Sequence, residues 1–178
     1  MKLSVFSFLF HAIFFSSYAY GFYLRDTKID LYRRDTTIDP NQCTATARES
    51  HRSVTVILIN EIDYNITYST HILNWGVWAS VACDPSQTIY PSLPINQSET
   101  FSAVSNGFLT GTEGKVTFSI DDKKTPPNTF SIYWDNPFSG SNEYSVEMSN
   151  TNLYDYQIPP GAGVGDNAVY QVTISKSA

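Results

Sequence analysis

The chain has 178 residues, with 11 Lys and Arg against 17 Asp and Glu and a formal net charge of −6. From residue 35 onward the balance is six against fifteen, a net of −9, which opposes phosphate backbones and excludes nucleic acid as a partner. The same balance opposes purely electrostatic attraction to anionic lipid, so a membrane contact has to run through aromatic side chains and headgroup recognition.

Residues 1–21, MKLSVFSFLFHAIFFSSYAYG, carry one Lys, a short apolar stretch and then small residues. That is the pattern of a secretory signal peptide, too short for a membrane anchor. Cleavage is expected after Ala19 or Gly21, which makes the protein secreted and extracellular. Residues 22–34 read as a charged propeptide or spacer; the hexads Arg25–Asp30 and Arg34–Asp39, the second running into the next segment, nearly repeat. The dibasic pair Arg33-Arg34 marks either a second processing cut or the end of a disordered spacer. An N-terminal arm, 35–52, then leads into one domain, 53–178.

Cys43 and Cys83 are the only cysteines, and in a secreted chain the expectation is a disulfide. Closing that loop stabilises by about 4 kcal/mol on the chain-entropy model. Asn65-Ile66-Thr67 and Asn96-Gln97-Ser98 are N-glycosylation sequons.

No segment carries a helical stripe; alternation of period two dominates. Strands are predicted over 53–60, 64–69, 71–80, 99–104, 115–121, 129–135, 143–148, 153–157 and 168–175. The first, SVTVILIN, is apolar on both faces, as a central strand covered on each side would be. In 115–121, Val116, Phe118 and Ile120 share one face; in 168–175, Tyr170, Val172 and Ile174 do. Turns fall at Asp84-Pro85, Pro91 to Pro94, Asn106-Gly107, 121–128 and 159–167. The fold class is all-β, a β-sandwich of eight to ten mostly antiparallel strands.

Strand phase sorts the tryptophans. In 129–135, Phe130, Ile132 and Trp134 face the core, and Tyr133 and Asp135 face solvent. In HILNWGVWAS, Trp75 is in phase with Leu73 and Val77, and Trp78 with Asn74, Gly76 and Ser80. Burying both requires a bulge, for which Gly76 is the place. Without one, Trp78 is the exposed ring.

Enzyme chemistry finds no footing. Beyond the leader only His51 and His71 remain, and no HExxH, GxSxG or paired metal-ligand spacing occurs. The glycine run 161–165 does not open a helix after a strand, so it is a flexible connection and not a dinucleotide loop. No catalytic residue, metal or cofactor is expected. Aromatic residues make up 15 % of the chain, with 12 Tyr and 11 Phe. Their apolar bodies and polar tips suit lipid headgroups and sugar faces alike. A sugar-binding module would stack on Tyr133, Trp78 and Tyr156; a non-lytic interaction protein remains a third reading.

Several blocks occur in an order that resembles the aegerolysins, small acidic β-sandwich proteins. They are the apolar strand Val54–Asn60, LNWG (Leu73–Gly76), GTEGKVTF (Gly111–Phe118), YWDNPF (Tyr133–Phe138) and Asn152-Leu153. The YWDNPF block, close to a Tyr-Trp-Asp-Cys-Pro-Trp pattern, is the most specific. The resemblance implies a protein monomeric in solution that recognises sphingolipid and sterol mixtures. It also implies that lysis, where it occurs, often involves a larger perforin-like partner. Carried onto this chain, Trp75 and Phe138 take the places of family tryptophans at the membrane face. Trp78, Tyr133 and Trp134 stand beside them, and Asp135, Asn136 and Glu113 are placed to orient the headgroup. Asn136 and Asn106 stand where the family has cysteines. No basic residue follows the turn in Ser139–Asn142, and no early tryptophan occurs around Ser53–Thr55.

Overall fold

The computed structural model describes residues 40–178. The expected signal peptide, the expected spacer and the pair Arg33-Arg34 lie outside the described residues. The body is a β-sandwich. One sheet has five strands in the order β3-β4-β1-β9-β8: Val77–Trp78, Ser98–Val104, Ser53–Asn60, Asn167–Lys176 and Tyr154–Gln157. The other has four, β2-β5-β6-β7: Ile66–Trp75, Thr112–Ile120, Thr129–Asn136 and Glu143–Met148. Every pairing is antiparallel except that of β1 with β9, which is parallel.

The alternation read from the sequence is the alternation of burial. Strands β5 and β6 bury every second residue, and Val116, Phe118, Phe130, Ile132 and Trp134 meet Val56, Phe101, Tyr170 and Val172 from the facing sheet. Phe118 and Phe130 are cross-strand partners whose rings stack at 5.1 Å. Each such ring contributes about 2–3 kcal/mol on burial, so the inward rows account for the pairing of the two sheets.

Strand β1 is central, and its outer face is covered by helix α1 (Pro40–Arg48), which packs on β1 and β4. This helix inside the expected arm was not legible. It is nine residues long, and its fully buried Cys43 and Ala47, one turn apart, make too narrow a stripe to register. Cys43 is bonded to Cys83, as expected, with the Cα atoms 5.5 Å apart. Cys83 closes a short 3-10 turn (Val81–Cys83) ahead of the one-turn helix α2 (Pro85–Thr88). The Asp84 carboxylate caps α2 by accepting from Ser86 N–H at 2.8 Å.

The strands predicted over 64–69 and 71–80 differ from the structure. They form one strand, β2, with a register shift between Tyr68 and Thr70, and β2 ends at Trp75. Gly76 then sits at φ +91°, and a Cβ there would lie 2.5 Å from the Val104 carbonyl oxygen. Only glycine allows that turn. It carries the chain from one sheet to the other, where β3 pairs with β4.

The end of the sandwich where β1 finishes is held by two buried polar side chains. Asn60 donates to the carbonyls of Tyr64, Leu93 and Pro94 at 2.9–3.1 Å and accepts from Ile62 N–H at 3.1 Å. Asp122 accepts from Asn128 at 2.5 Å, Tyr154 at 2.9 Å and Lys124 N–H at 3.2 Å. Burial raises the pKa of Asp122, but these donors outweigh it and hold the carboxyl below its ordinary value.

Candidate functional site

At the opposite end, where β1 begins, exposed apolar side chains gather round a groove of about 380 Å³. Trp75, at the end of β2, is 62 % exposed. Leu109 and Phe138 face it across the groove, and Glu113 and Asp135 line its side. A second recess of about 300 Å³ adjoins it, sharing Leu109 and Phe138 and adding Phe108, His51 and Arg52. Phe108 is 90 % exposed, at the tip of the loop between β4 and β5.

Local sequence explains each position. The loop turns at Asn106-Gly107 and is closed by Thr110 Oγ1, which donates to the Gly107 carbonyl at 3.0 Å. Leu109 sits at φ +58°, a region branched side chains seldom adopt. Gly111 lets the start of β5 press against the turn after β6: a Cβ there would be 2.3 Å from the Asn136 carbonyl oxygen. That close approach sets the groove's depth. The Pro137-Phe138 turn is anchored by Asn136, whose Nδ2 donates to the carbonyls of Ser53 and Asp166 at 2.9 Å each.

Arg52 completes the turn. Its guanidinium donates to the Phe138 carbonyl at 2.7 Å, pairs with Asp166 at 2.7 Å and lies 5.9 Å from the Phe138 ring centroid. A cation therefore stands against the turn, although none occurs in Ser139–Asn142.

Three carboxylates stand side by side across the sheet, Glu113 on β5, Asp135 on β6 and Glu143 on β7, with Trp75 next in the row. Asn74 Nδ2 and the Tyr133 hydroxyl both donate to Glu113, at 2.8 and 3.2 Å. Burial, and then the charges of Glu113 and Glu143, push the Asp135 carboxyl above its ordinary value. Burial and Glu113 push the Tyr133 hydroxyl up to about 12. Among the described residues no group of His, Cys, Asp or Glu is disposed to hold a metal ion.

The structure brings Trp75, Phe138, Asp135 and Glu113 together, with Tyr133 adjoining through Glu113. Three expected contact residues are corrected. Trp134 is fully buried, its Nε1 donating to Thr112 Oγ1 at 3.4 Å, so it supports the groove from beneath. Asn136 is also fully buried and spends its amide on backbone carbonyls, so it fixes the turn and orients no headgroup. Trp78, expected to be the exposed ring, packs against the core. It meets His71 edge-on at 5.0 Å, with Phe101 and Trp134 at 6.2 and 6.1 Å. The reason is Gly76: the chain changes sheets there, so the alternation restarts and Trp75 is the one left outside.

The sugar platform is not assembled. Tyr133 lies on β6 of the four-stranded sheet, Tyr156 on the edge strand β8 of the other, and Trp78 is turned inward. Phe108, Leu109 and Arg52 are the residues missed. The first two had a signal: large apolar side chains directly after an Asn-Gly turn, outside any alternating strand that could bury them. Arg52 had none, since only folding brings it to Phe138.

No curated protein sequence matches the chain. Among solved structures it is similar to IP-1A from Alcaligenes faecalis, at 20% identity and a TM-score of 0.56, covering 75% of this chain and 97% of that one. It is similar to the RahU protein, solved in complex with a TRIS molecule, at 14% identity and a TM-score of 0.54, covering 72% and 97%. It is also similar to Nakanori, described as a lipid binding protein, at 15% identity and a TM-score of 0.59, covering 83% and 85%. At these identities the likeness is one of fold. The aegerolysin family itself matches over residues 51–177, and the chain belongs to that family.

Proposed function

We propose that this protein is secreted and binds sphingolipid-rich, sterol-containing membranes through the rim of Trp75, Phe108, Leu109 and Phe138. The observation that carries this reading is the convergence of four exposed apolar side chains on two adjoining recesses, which the other exposed apolar residues, such as Ile72, Val81, Tyr90 and Val164, do not line. Clustered exposed apolar surface marks a contact site, and Trp and Phe at the tip of a rigid scaffold suit the boundary between headgroups and acyl chains. Membership of the aegerolysin family supports it, as does the description of Nakanori as a lipid binding protein. The Cys43–Cys83 bond suits an oxidising, secretory route.

The role is recognition and not catalysis. Glu113 and Asp135 stand beside the rim to meet the headgroup, and Tyr133 holds Glu113 in place. Lysis is left to a perforin-like partner, the role that the aegerolysin resemblance implies. No helix among the described residues is long and apolar enough to cross a membrane, which says nothing of strands.

Vesicle sedimentation tests this. Vesicles of sphingomyelin and cholesterol should retain the protein, and glycerolipid vesicles should retain less. Trp75→Ala with Phe108→Ala should weaken binding by roughly a hundredfold, about 1.4 kcal/mol for each ring. Absence of binding to every mixture sinks the reading. Strong dye release by the purified chain alone sinks the requirement for a partner.

A further inference from the structure

We propose that Asn65 and Asn96 both carry N-linked glycans, and that the fold gathers the two glycans at the end of the sandwich opposite the aromatic rim. This rests on the lipid reading for what the rim does, and on the expected leader for delivery to the compartment where glycosylation occurs. In the reaction, the side-chain amide nitrogen of each Asn forms a bond to the anomeric carbon of an oligosaccharide and loses a proton. The bond from that carbon to the diphosphate of a lipid-linked oligosaccharide donor breaks, and the lipid diphosphate leaves.

Both acceptors are accessible and uncommitted. Asn65 and Asn96 are exposed, and neither side-chain amide takes part in a hydrogen bond among the described residues, unlike Asn60, Asn128, Asn136 and Asn142. Asn96 sits at φ +57°, a left-handed turn position that Asn tolerates. Their backbones are nonetheless fixed. Asn96 N–H donates to the Asn60 carbonyl at 2.8 Å, and the Asn65 carbonyl accepts from Asp121 N–H at 3.0 Å.

The two sequons lie on adjoining loops. Ile66, inside the first sequon, bridges to Leu93 on the loop that carries the second, and Asn60 binds the carbonyls of Leu93 and Pro94. Both are therefore tied to the last residue of β1. The rim is tied to the first, because Asn136 holds the Phe138 turn to the Ser53 carbonyl. Strand β1 separates the two sites by about 23 Å, at roughly 3.3 Å per residue. A hydrated glycan beside Phe138 would hold a membrane away; at Asn65 and Asn96 it leaves the rim free.

The full chain, expressed in a eukaryotic secretory host, tests this. The intact mass should fall by two glycans on treatment with peptide N-glycosidase, with Asn-to-Asp conversion mapped to positions 65 and 96 by peptide mass. Asn65→Gln and Asn96→Gln should each remove one glycan. Glycosylated and trimmed protein should bind sphingomyelin–cholesterol vesicles within about twofold of each other. Ser139→Asn completes a new sequon with Gly140 and Ser141 beside Phe138. It should lower binding by at least about tenfold, with recovery on trimming. An unmodified Asn65 or Asn96 in the secreted protein overturns the proposal. So does a gain in wild-type binding on trimming that matches the gain of Ser139→Asn. If neither form binds any vesicle, the lipid reading fails and the claim about the rim fails with it, while occupancy stands on the masses alone.

Discussion

The two ends of the sandwich treat polar groups in opposite ways. At the far end, Asn60 and Asp122 are buried with their hydrogen-bonding atoms in use, and the Asp122 carboxyl is drawn below its ordinary pKa. At the rim, Asp135 is drawn above its ordinary pKa by burial and by neighbouring carboxylates, and the buried Asn136 Oδ1 has no partner among the described residues. The rim also leaves Trp75 and Phe108 in water. At the far end the buried polar groups are closed by hydrogen bonds; at the rim the carboxylates crowd one another beside exposed aromatic rings.

The largest effect that would sharpen this contrast comes from two tryptophans in the same neighbourhood. Trp134→Ala empties the core beneath the groove and should cost about 3–5 kcal/mol in a denaturant melt. Trp75→Ala should cost under about 1 kcal/mol, as an exposed side chain does. Equal losses for the two would erase the distinction between support and contact surface. Next comes Asn60→Ala, which frees three carbonyls and one N–H at the far end. It should lower stability by roughly 4 kcal/mol, at about 1 kcal/mol for each of the four bonds lost, yet leave vesicle binding by the folded protein unchanged.

The smallest effect is Asp135→Asn. The folded protein raises this carboxyl's pKa, so its charge opposes folding in full above the folded-state value, and the penalty falls away as the pH drops from there through the ordinary carboxyl range. The substitution should therefore stabilise at neutral pH and be neutral in acid. Asp122 works with the opposite sign: its lowered pKa contributes stability at neutral pH that is lost as the solution is acidified through the folded-state value. Thermal melts of both Asp→Asn variants across pH should diverge at neutrality and lose that divergence in acid.

Much of the fold was legible because burial in a sandwich follows period two. Val116, Phe118, Phe130 and Trp134 announce their faces without any tertiary knowledge, and the disulfide follows from there being two cysteines. Helix α1 was not legible, because two small buried residues make no stripe. The site was half legible. Trp75 and Phe138 stood out through the blocks around them, but Trp78 was misplaced because alternation assumes one continuous strand, and Gly76 ends that strand. Arg52 reaches Phe138 across 86 positions of sequence, a distance at which no local pattern operates.

The parallel pairing of β1 with β9 has a consequence for biosynthesis. Strand β1 lies between β4 and β9, so the five-stranded sheet cannot close until residues 167–176 have left the ribosome. Partners this remote in sequence belong to the slow class of folding reactions. Throughout synthesis, one flank of the apolar β1 is an open edge, a hazard that chaperones must cover. A nascent chain halted before residue 167 would lack β9 and could not complete this sheet, however intact its aromatic rim.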